Sequence, residues 1–257
     1  MQAFDLSGKV ALVTGGNGGI GLGIARGLAK AGAALAIVGR SPEKLAAATA
    51  ELERLAAKGA KVMGLACDVS DEAAVAAMVE EIAAGLGRLD ILVNNAGTNI
   101  RKRPEDLAAD EWHRVMDANL TSTFLCSKAC YPQMKAAGGG KILNNGSMLS
   151  IFGAPWSPAY GASKGGVVQL TRSLAAAWAR DNIQVNCMLP GWIDTDLTQR
   201  ARSEIEGLNE HVLQRTPAKR WGRPADFEGL AAFFAGPASD FITGAALPVD
   251  GGFSISL

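Results

Sequence analysis

Two kinds of hydrophobic segment alternate along the chain. The first is a short apolar run without polar alternation, typical of a strand buried on both faces of a parallel sheet. The second is a longer, alanine-rich stretch, with helix-start signals such as Ser41 before Pro42. The predicted strands are Val10–Val13, Ala34–Val38, Val62–Ala66, Leu89–Val93, Lys141–Leu143 and Ile183–Cys187. The predicted helices are Ile20–Ala31, Pro42–Ala57, Asp71–Leu86, Asp110–Met134 and Pro158–Arg180.

This alternation predicts an α/β fold, a Rossmann-like doubly wound parallel sheet with helices on both faces. No linker rich in proline or serine interrupts the pattern, so residues 1–257 are expected to form a single domain. The polar stretch Asp194–Lys219 is the exception, because its periodicity is weak. Such an insert lies over the strand ends, where ligands bind, so we interpret it as a substrate lid, with a plain surface excursion as the alternative.

Charge and composition exclude several classes of protein. The chain has 25 Lys+Arg and 25 Asp+Glu, a formal net charge of zero, which argues against nucleic-acid binding. No apolar run reaches the ~18 residues of a membrane span, and residues 1–8 show no signal-peptide core. The four cysteines have no zinc or redox spacing, so we expect no metal site and reduced thiols in a cytoplasmic protein. His113 and His211 have no partner in a motif and are assigned no role.

A glycine-rich loop follows the first predicted strand and leads into the first predicted helix. Its glycines permit a tight turn and a close approach of the backbone to a ligand. The start of the helix then offers free N–H groups and a positive dipole end to a pyrophosphate. The loop residues expected to bind a dinucleotide are Gly15, Asn17, Gly18, Gly19, Ile20 and Gly21.

The end of the second predicted strand bears on the choice between NAD and NADP. NAD-binding units usually place an acid here for the ribose 2′-hydroxyl, whereas this chain has Gly39, Arg40 and Ser41. Arg40 can bind a 2′-phosphate through two parallel hydrogen bonds, and Ser41 can add a hydroxyl donor. The pattern favours NADP(H). NAD(H) is the alternative if Arg40 is only a solvated loop charge.

Tyr160 and Lys164 are four positions apart in a predicted helix and therefore share one face. A nearby ammonium favours the phenolate and lowers the tyrosine pKa from its usual value of about 10. Such a phenol can pass a proton to or from an alcohol oxygen while hydride moves to a nicotinamide. Ser147, after the fifth predicted strand, can donate a hydrogen bond to the same oxygen.

Together these motifs resemble the short-chain dehydrogenase/reductase family across essentially the whole chain. The matching motifs are Thr14 to Gly21, Cys67 to Val69, Asn94 to Gly97, Asn119, Ser147, Tyr160 with Lys164, and Pro190–Gly191 followed by Thr195. The resemblance implies that Tyr160 is the general acid/base, that Lys164 lowers its pKa and holds the nicotinamide ribose, and that Ser147 polarises the substrate oxygen. Asn119 is implied to hold a water that relays protons from Lys164.

The same resemblance implies the remaining cofactor contacts. Asp68 and Val69 would contact the adenine. The other implied contacts are Asn95, Ala96 and Gly97 in the floor of the cofactor site, and Pro190, Gly191, Ile193 and Thr195, of which Ile193 and Thr195 would meet the carboxamide and phosphates.

Several stretches resemble the branch of that family that contains gluconate 5-dehydrogenase and 2-deoxy-gluconate 3-dehydrogenase. These are Asn94 to Gly97 with Arg101 and Arg103 after it, Ser147 to Ser150, Arg220 to Pro224, and Val249 to Gly252. The resemblance implies hydride transfer between NAD(P) and a secondary alcohol or ketone of a polyol, sugar or sugar acid such as gluconate. Arg101 and Arg103 would suit a substrate carboxylate, with a solvated loop as the alternative. Trp156 and Trp192 are candidate pocket walls.

Two other functions remain open. One is reduction of an acyl or cyclic ketone, against which the polar lid argues. The other is a catalytically inactive nucleotide-sensing protein on the same fold, against which the complete catalytic set argues. The resemblance also implies a homotetramer, built partly from the helices Asp110–Met134 and Pro158–Arg180, which are apolar on more than one face.

Overall fold

The computed structural model describes residues 2–57 and 59–256, which form a parallel sheet covered by helices on both faces. The strands are β1 (Val10–Thr14), β2 (Ala34–Gly39), β3 (Val62–Ala66), β4 (Ile91–Asn94), β5 (Gly140–Asn145), β6 (Ile183–Pro190) and β7 (Ala246–Val249). The helices are α1 (Gly19–Lys30), α2 (Pro42–Leu55), α3 (Glu72–Leu86), α4 (Ala109–Met116), α5 (Ser122–Ala136), α6 (Pro158–Trp178), α7 (Asp196–Glu204), α8 (Leu208–Arg215) and α9 (Glu228–Ala235). The strand order is β3-β2-β1-β4-β5-β6-β7, which confirms the predicted doubly wound sheet.

The central strand explains why the apolar runs lack polar alternation. Val13 of β1 packs in one core with Leu28 of α1, and Leu12 packs on the opposite face with Ile82 of α3. Helices α1, α2 and α9 contribute to the first core, and α3, α5 and α6 contribute to the second. Because both faces are covered, the successive positions 10–13 of the strand are all apolar.

Several elements differ from the sequence-based predictions. The edge strand β7 was not predicted, because it has four residues and exposes Leu247 and Pro248, so it lacks a continuous apolar run. Helix α9 was not predicted either. The single regular helix predicted over Asp110–Met134 is wrong: α4 and α5 are separated by a π-helical segment, Asp117–Thr121. Such segments often mark functional sites.

The candidate site residues collect at one edge of the sheet. The glycine-rich loop follows β1, Asn95 follows β4, Ser147 lies shortly after β5, and Gly191 follows β6. Since all seven strands are parallel, these positions share the carboxyl edge, where ligands bind in open α/β sheets. The stretch 194–219, expected to be a lid, forms α7 and α8 above this edge and lines two of its cavities.

Within residues 2–57 and 59–256, no helix combines the length and apolar character needed to cross a bilayer. The same residues contain no group of three or more His, Cys, Asp or Glu side chains placed to hold a metal ion. The four cysteines are free, and Cys126, Cys130 and Cys187 are buried.

Candidate active site

Three neighbouring cavities lie along the carboxyl edge of the sheet. The first cavity, about 530 Å³, lies beside the ends of β2 and β3. The second, about 330 Å³, runs between the glycine-rich loop and Tyr160. The third, about 500 Å³, extends from Tyr160 under α7 and α8. Ser147 and Tyr160 line both the second and the third cavity, so they lie where the two spaces meet.

The glycine-rich loop borders the first two cavities with backbone rather than side chains. Gly15 and Gly19 have φ angles of +63° and +51°, which non-glycine residues rarely adopt. Helix α1 begins at Gly19 without a side-chain cap, so its first N–H groups are free to bind an anion. Asn17, Gly18 and Ile20 line the second cavity, whereas Gly21 lies behind the loop, where a Cβ would collide with the Gly15 backbone.

The residues expected at the adenosine line the first cavity. These residues are Arg40, Ser41, Asp68 and Val69. Hydrogen bonds from Ser70 hold the pKa of Asp68 below its usual value, and the nearby charge of Arg40 acts in the same direction. Ser41 also caps α2, because its hydroxyl accepts the Lys44 N–H at 3.4 Å.

A side chain at position 39 would have no free space. A Cβ built on Gly39 would lie 2.7 Å from Oδ1 of Asn17 and closer still to the rest of that amide. The Asn17 side chain therefore occupies the space into which an acid at position 39 would project. This contact between two distant loops was not visible in the sequence.

The segment after β4 is hydrogen-bonded to the end of β1. Oγ1 of Thr14 accepts the backbone N–H groups of Asn95 and Ala96 at 3.0 and 3.1 Å, and the Asn95 amide donates to the backbone oxygens of Thr14 and Gly15. A Cβ on Gly97 would lie 2.8 Å from Asn119 Oδ1 and 3.6 Å from Lys164 Nζ. Gly97 thus leaves the approach to Lys164 open.

The catalytic candidates are brought together as expected. Tyr160 and Lys164 lie on one face of α6, with the ammonium 5.6 Å from the centre of the Tyr160 ring. Lys164 Nζ donates to the Asn145 carbonyl at 2.6 Å. Tyr160 shares a side-chain hydrogen bond with Ser147.

The electrostatics of this pair differ from the expectation. Burial raises the pKa of Tyr160 above its usual value, while the hydrogen bond with Ser147 and the charge of Arg101 oppose that shift. The expected lowering of the Tyr160 pKa by Lys164 is therefore wrong for this state of the site. Burial of the phenol outweighs these opposing contacts. Burial also lowers the pKa of Lys164, to about 8.

Asn119 lies in the π-helical segment and is fully buried. Its amide nitrogen donates to the Thr98 carbonyl at 3.0 Å and to Ser163 Oγ at 2.9 Å, and its Oδ1 accepts the Thr98 N–H at 2.7 Å. Its carboxamide therefore links the segment after β4 to helix α6 beside Lys164.

The residues expected after β6 line the second cavity opposite the glycine-rich loop. These residues are Pro190, Gly191, Ile193 and Thr195. A Cβ on Gly19 would lie 3.3 Å from the Thr195 methyl group, so the two sides approach closely. The Ile193 side chain is buried and also packs in the core.

The four expected substrate residues separate into two groups. Arg101, Trp156 and Trp192 line the third cavity. Arg103 is not among the residues that line this cavity, and its side chain is exposed, which favours the solvated-loop alternative for it. Two positions along an extended loop place the two arginines differently, with Arg101 facing the cavity.

Several cavity residues were missed by the sequence-based predictions. Phe152, Phe253, His211 and Arg215 line the third cavity, and Lys44 lines the first two. They come from segments far apart in the chain and belong to no motif, so spacing gave no signal. His211, which was assigned no role, lies at the cavity on the exposed side of α8.

Helix α7 is held to both sides of the cleft by ion pairs. Asp196 pairs with Lys44 of α2 at 2.7 Å, and Glu204 pairs with Arg101 at 2.9 Å. The Arg101 guanidinium also donates to the Leu197 carbonyl at 3.3 Å. Each pair places a carboxylate of α7 on a basic residue that lines a cavity.

Comparison with known proteins extends this picture over the whole chain. A family model described as "Enoyl-(Acyl carrier protein) reductase" matches residues 15–254. The chain is 43% identical over 254 residues to 2-dehydro-3-deoxy-D-gluconate 5-dehydrogenase of Pseudoalteromonas atlantica, covering 98% of each chain. It is 39% identical over 256 residues to a tropinone reductase homolog of Arabidopsis thaliana, covering 99% of this chain and 96% of that one.

A solved structure also matches this chain over its length. It is a gluconate 5-dehydrogenase from Burkholderia cenocepacia J2315 in complex with NADP and tartrate, with a TM-score of 0.93 and 40% identity. The match covers 100% of this chain and 99% of that one. The similarity therefore includes both the strand ends and the α7–α8 segment.

Proposed function

Because this chain belongs to the short-chain dehydrogenase/reductase family, we propose that it transfers hydride between NADP(H) and a secondary alcohol of a sugar acid. Family membership makes it an NAD(P)-dependent oxidoreductase acting on a secondary alcohol or ketone. The observation that carries the finer proposal is the position of Tyr160 and Ser147 on the shared wall of the second and third cavities. A proton donor at this position can reach the carbonyl oxygen of a ligand that binds in either cavity.

The residues of the first two cavities fit a dinucleotide. Free N–H groups at the start of α1 and the close backbone at Gly15 suit a pyrophosphate. The space between Gly97 and Lys164 suits a ribose. When bound, the nicotinamide supplies the hydride for reduction and accepts it in oxidation.

Tyr160 supplies the proton in the reductive direction. Its raised pKa keeps the phenol protonated at neutral pH, as donation to a carbonyl oxygen requires. Ser147 holds the same oxygen, and the Lys164 ammonium favours the phenolate that the step leaves behind. The water relay at Asn119 stays a prediction, supported by the contact of its carboxamide with Ser163 beside Lys164.

Three features support a preference for NADP(H). Arg40 and Lys44 both line the first cavity, so two cations are close to a 2′-phosphate. Ser41 adds a hydroxyl. The Asn17 side chain fills the space that an acid at position 39 would need to bind a ribose diol.

The proposed substrate class rests on the relatives and on the third cavity. Two relatives are named for gluconate or a dehydro-deoxy-gluconate, and one of them was crystallised with tartrate, a hydroxy acid. The cavity contains two arginines, Arg101 and Arg215, which suit an acid. Its aromatic walls, Phe152, Trp156, Trp192 and Phe253, are the observation that favours the second candidate, a more apolar ketone.

A homotetramer, a cytoplasmic location and a substrate lid over 194–219 remain part of this proposal. Exposed Phe124 on α5 and Phe241, Leu247 and Ile255 near β7 support association. Light scattering that gives a stable monomer at micromolar concentration would contradict the tetramer.

A substrate panel tests the proposed function. NADPH consumption is followed by absorbance with 5-keto-D-gluconate, with a neutral ketohexose such as fructose, and with an apolar cyclic ketone. We expect the keto acid to give the highest kcat/KM. Preference for the cyclic ketone would favour the second candidate, and no turnover with any ketone would favour nucleotide sensing.

A further inference from the structure

Arg215, the last residue of α8, lines the third cavity and has no acidic partner among the described residues. Its guanidinium carbon lies 4.2 Å from the centre of the Phe253 ring and 5.5 Å from that of Phe152. These rings contact the guanidinium by cation–π interaction, and its N–H groups form no hydrogen bond with other residues that the structure describes. Within residues 2–57 and 59–256, no carboxylate lies within ion-pair distance of it.

The Arg215 guanidinium also contains a buried polar atom without a hydrogen-bond partner, its Nε. Leaving a buried charged donor unpaired is costly, so such a group is expected to have a ligand. Arg101, the other arginine of the cavity, is already bonded to Glu204 and to the Leu197 carbonyl. Glu206 reaches the same cavity as an exposed side chain and forms no pair with Arg215.

Asn99, which also lines this cavity, contains a second unpartnered polar atom. Asn99 donates from its amide nitrogen to Ser157 at 3.2 Å, whereas its Oδ1 is buried without a partner. An unused acceptor of this kind suits a hydroxyl donor, and the unused Arg215 donors suit an anion. A ligand that satisfies both is a hydroxylated acid.

From these contacts we propose that Arg215 binds the carboxylate of the substrate, with Asn99 accepting from one of its hydroxyl groups. This inference rests on the proposed function and specifies which residue selects acids over neutral sugars. One uncommitted guanidinium matches one carboxylate, because the charge of Arg101 is already balanced by Glu204. Arg215 is thus a specificity residue and takes no part in the proton or hydride transfer.

The test compares a keto acid with a neutral ketose in matched variants. In Arg215→Met, we expect KM for 5-keto-D-gluconate to rise roughly ten- to a hundredfold, since charge-assisted hydrogen bonds are lost. KM for fructose and the NADPH dissociation constant from fluorescence titration should stay unchanged. Arg215→Lys should recover part of the loss, because it restores the charge without the planar fork. Arg103→Met, an exposed arginine away from the cavity, is the matched control and should change neither substrate.

Asn99→Ala gives an independent readout, because both substrates carry hydroxyl groups. It should raise KM for the keto acid and for fructose by similar factors. Binding of gluconate to the enzyme–NADP complex by calorimetry measures the same Arg215 effect without turnover, and thermal melting checks that each variant folds.

The outcomes separate the two levels of the proposal. A natural enzyme that reduces fructose as efficiently as the keto acid overturns the proposed substrate class. An enzyme that prefers the keto acid, with Arg215→Met and Arg215→Lys both keeping that preference, overturns the role of Arg215 alone. If Arg215→Met does not fold, Arg215→Lys decides, because an unchanged KM for the keto acid together with unchanged gluconate affinity contradicts bidentate binding.

Discussion

The cofactor side and the substrate side of the cleft are lined by different kinds of chain segment. On the cofactor side, the first and second cavities are lined by short contiguous motifs at the ends of β1, β2, β4 and β6, and much of that lining is backbone. On the substrate side, the third cavity is lined by long side chains from the segments after β4, β5 and β6, from α8 and from the chain end near Phe253. The difference suits a constant ligand at one end and a variable one at the other.

The two sides also differ in how their charges are held. On the cofactor side, Arg40 lies exposed at the first cavity, and Lys44 is joined to α7 through Asp196. On the substrate side, Arg101 is joined to α7 through Glu204, and Arg215 contacts two aromatic rings. Ligands entering either side thus meet a basic residue, and Tyr160 lies between them. The following predictions test the residues of the two sides one at a time.

The largest effect is expected at the residue that both sides share. Tyr160→Phe removes the proton donor and should lower kcat roughly a hundred- to ten-thousandfold, while the NADPH dissociation constant stays close to its original value. Tyr131→Phe, the other tyrosine of the chain, is the control. Its hydroxyl donates to Asp181 far from the catalytic residues, so turnover should persist. Substantial activity in purified Tyr160→Phe would contradict the assignment.

The next effect should be confined to the cofactor side. Arg40→Leu removes a charge-assisted contact to a 2′-phosphate and should weaken NADPH binding roughly ten- to a hundredfold, with little change for NADH. Fluorescence titration measures both constants. Arg54→Leu changes an exposed arginine near the end of α2 and should change neither constant. Equal weakening of both cofactors would mean that Arg40 contacts the adenine instead of the phosphate.

A pH profile examines the shared residues without mutation. Burial lowers the pKa of Lys164 to about 8, so its ammonium is present below that pH and is lost above it. The rate of ketone reduction should therefore fall by up to about tenfold per pH unit above pH 8, because the protonated form of Lys164 is depleted. Alcohol oxidation, which needs the phenolate of Tyr160, should rise instead through the alkaline range. Steady-state rates in both directions measure the two limbs, and parallel profiles would refute this interpretation.

The smallest effect tests the contact between Asn17 and Gly39. Gly39→Asp alone should weaken both cofactors by roughly tenfold, because the new side chain overlaps the Asn17 amide. Combining Gly39→Asp with Asn17→Gly should restore NADH binding and leave NADPH weak, since the carboxylate then faces the ribose. If Gly39→Asp alone already favours NADH, Asn17 moves aside and does not determine the cofactor choice.

The two sides were not equally predictable from the sequence. The glycine-rich loop, Ser147 and the Tyr160–Lys164 pair are local patterns, and the structure brings them together at the sheet edge. The third cavity depends on contacts between segments distant along the chain, so Phe152, Phe253 and Arg215 gave no local signal. Arg101 and Arg103 show the same limit, because neighbouring positions in a loop carry no periodicity that decides which one faces a ligand.

Strand β7 and the π-helical turn could not be predicted from the sequence for a related reason. Strand β7 pairs only with β6 and exposes two of its four residues, so its sequence does not show the pattern of a buried strand. The π-helical turn at Asn119 contacts α4, α5 and α6, and its contact with the distant helix α6 is not encoded by helical periodicity.

Deuterium transfer tests most directly whether the two sides form one hydride-transfer site. The purified protein is incubated with 5-keto-D-gluconate and NADPH that carries deuterium at one of the two positions on nicotinamide C4, and the product is examined by NMR. We predict one deuterium on the new carbinol carbon from one labelled cofactor and none from its epimer. NADPH bound at the first two cavities without deuterium reaching the sugar acid would contradict the account.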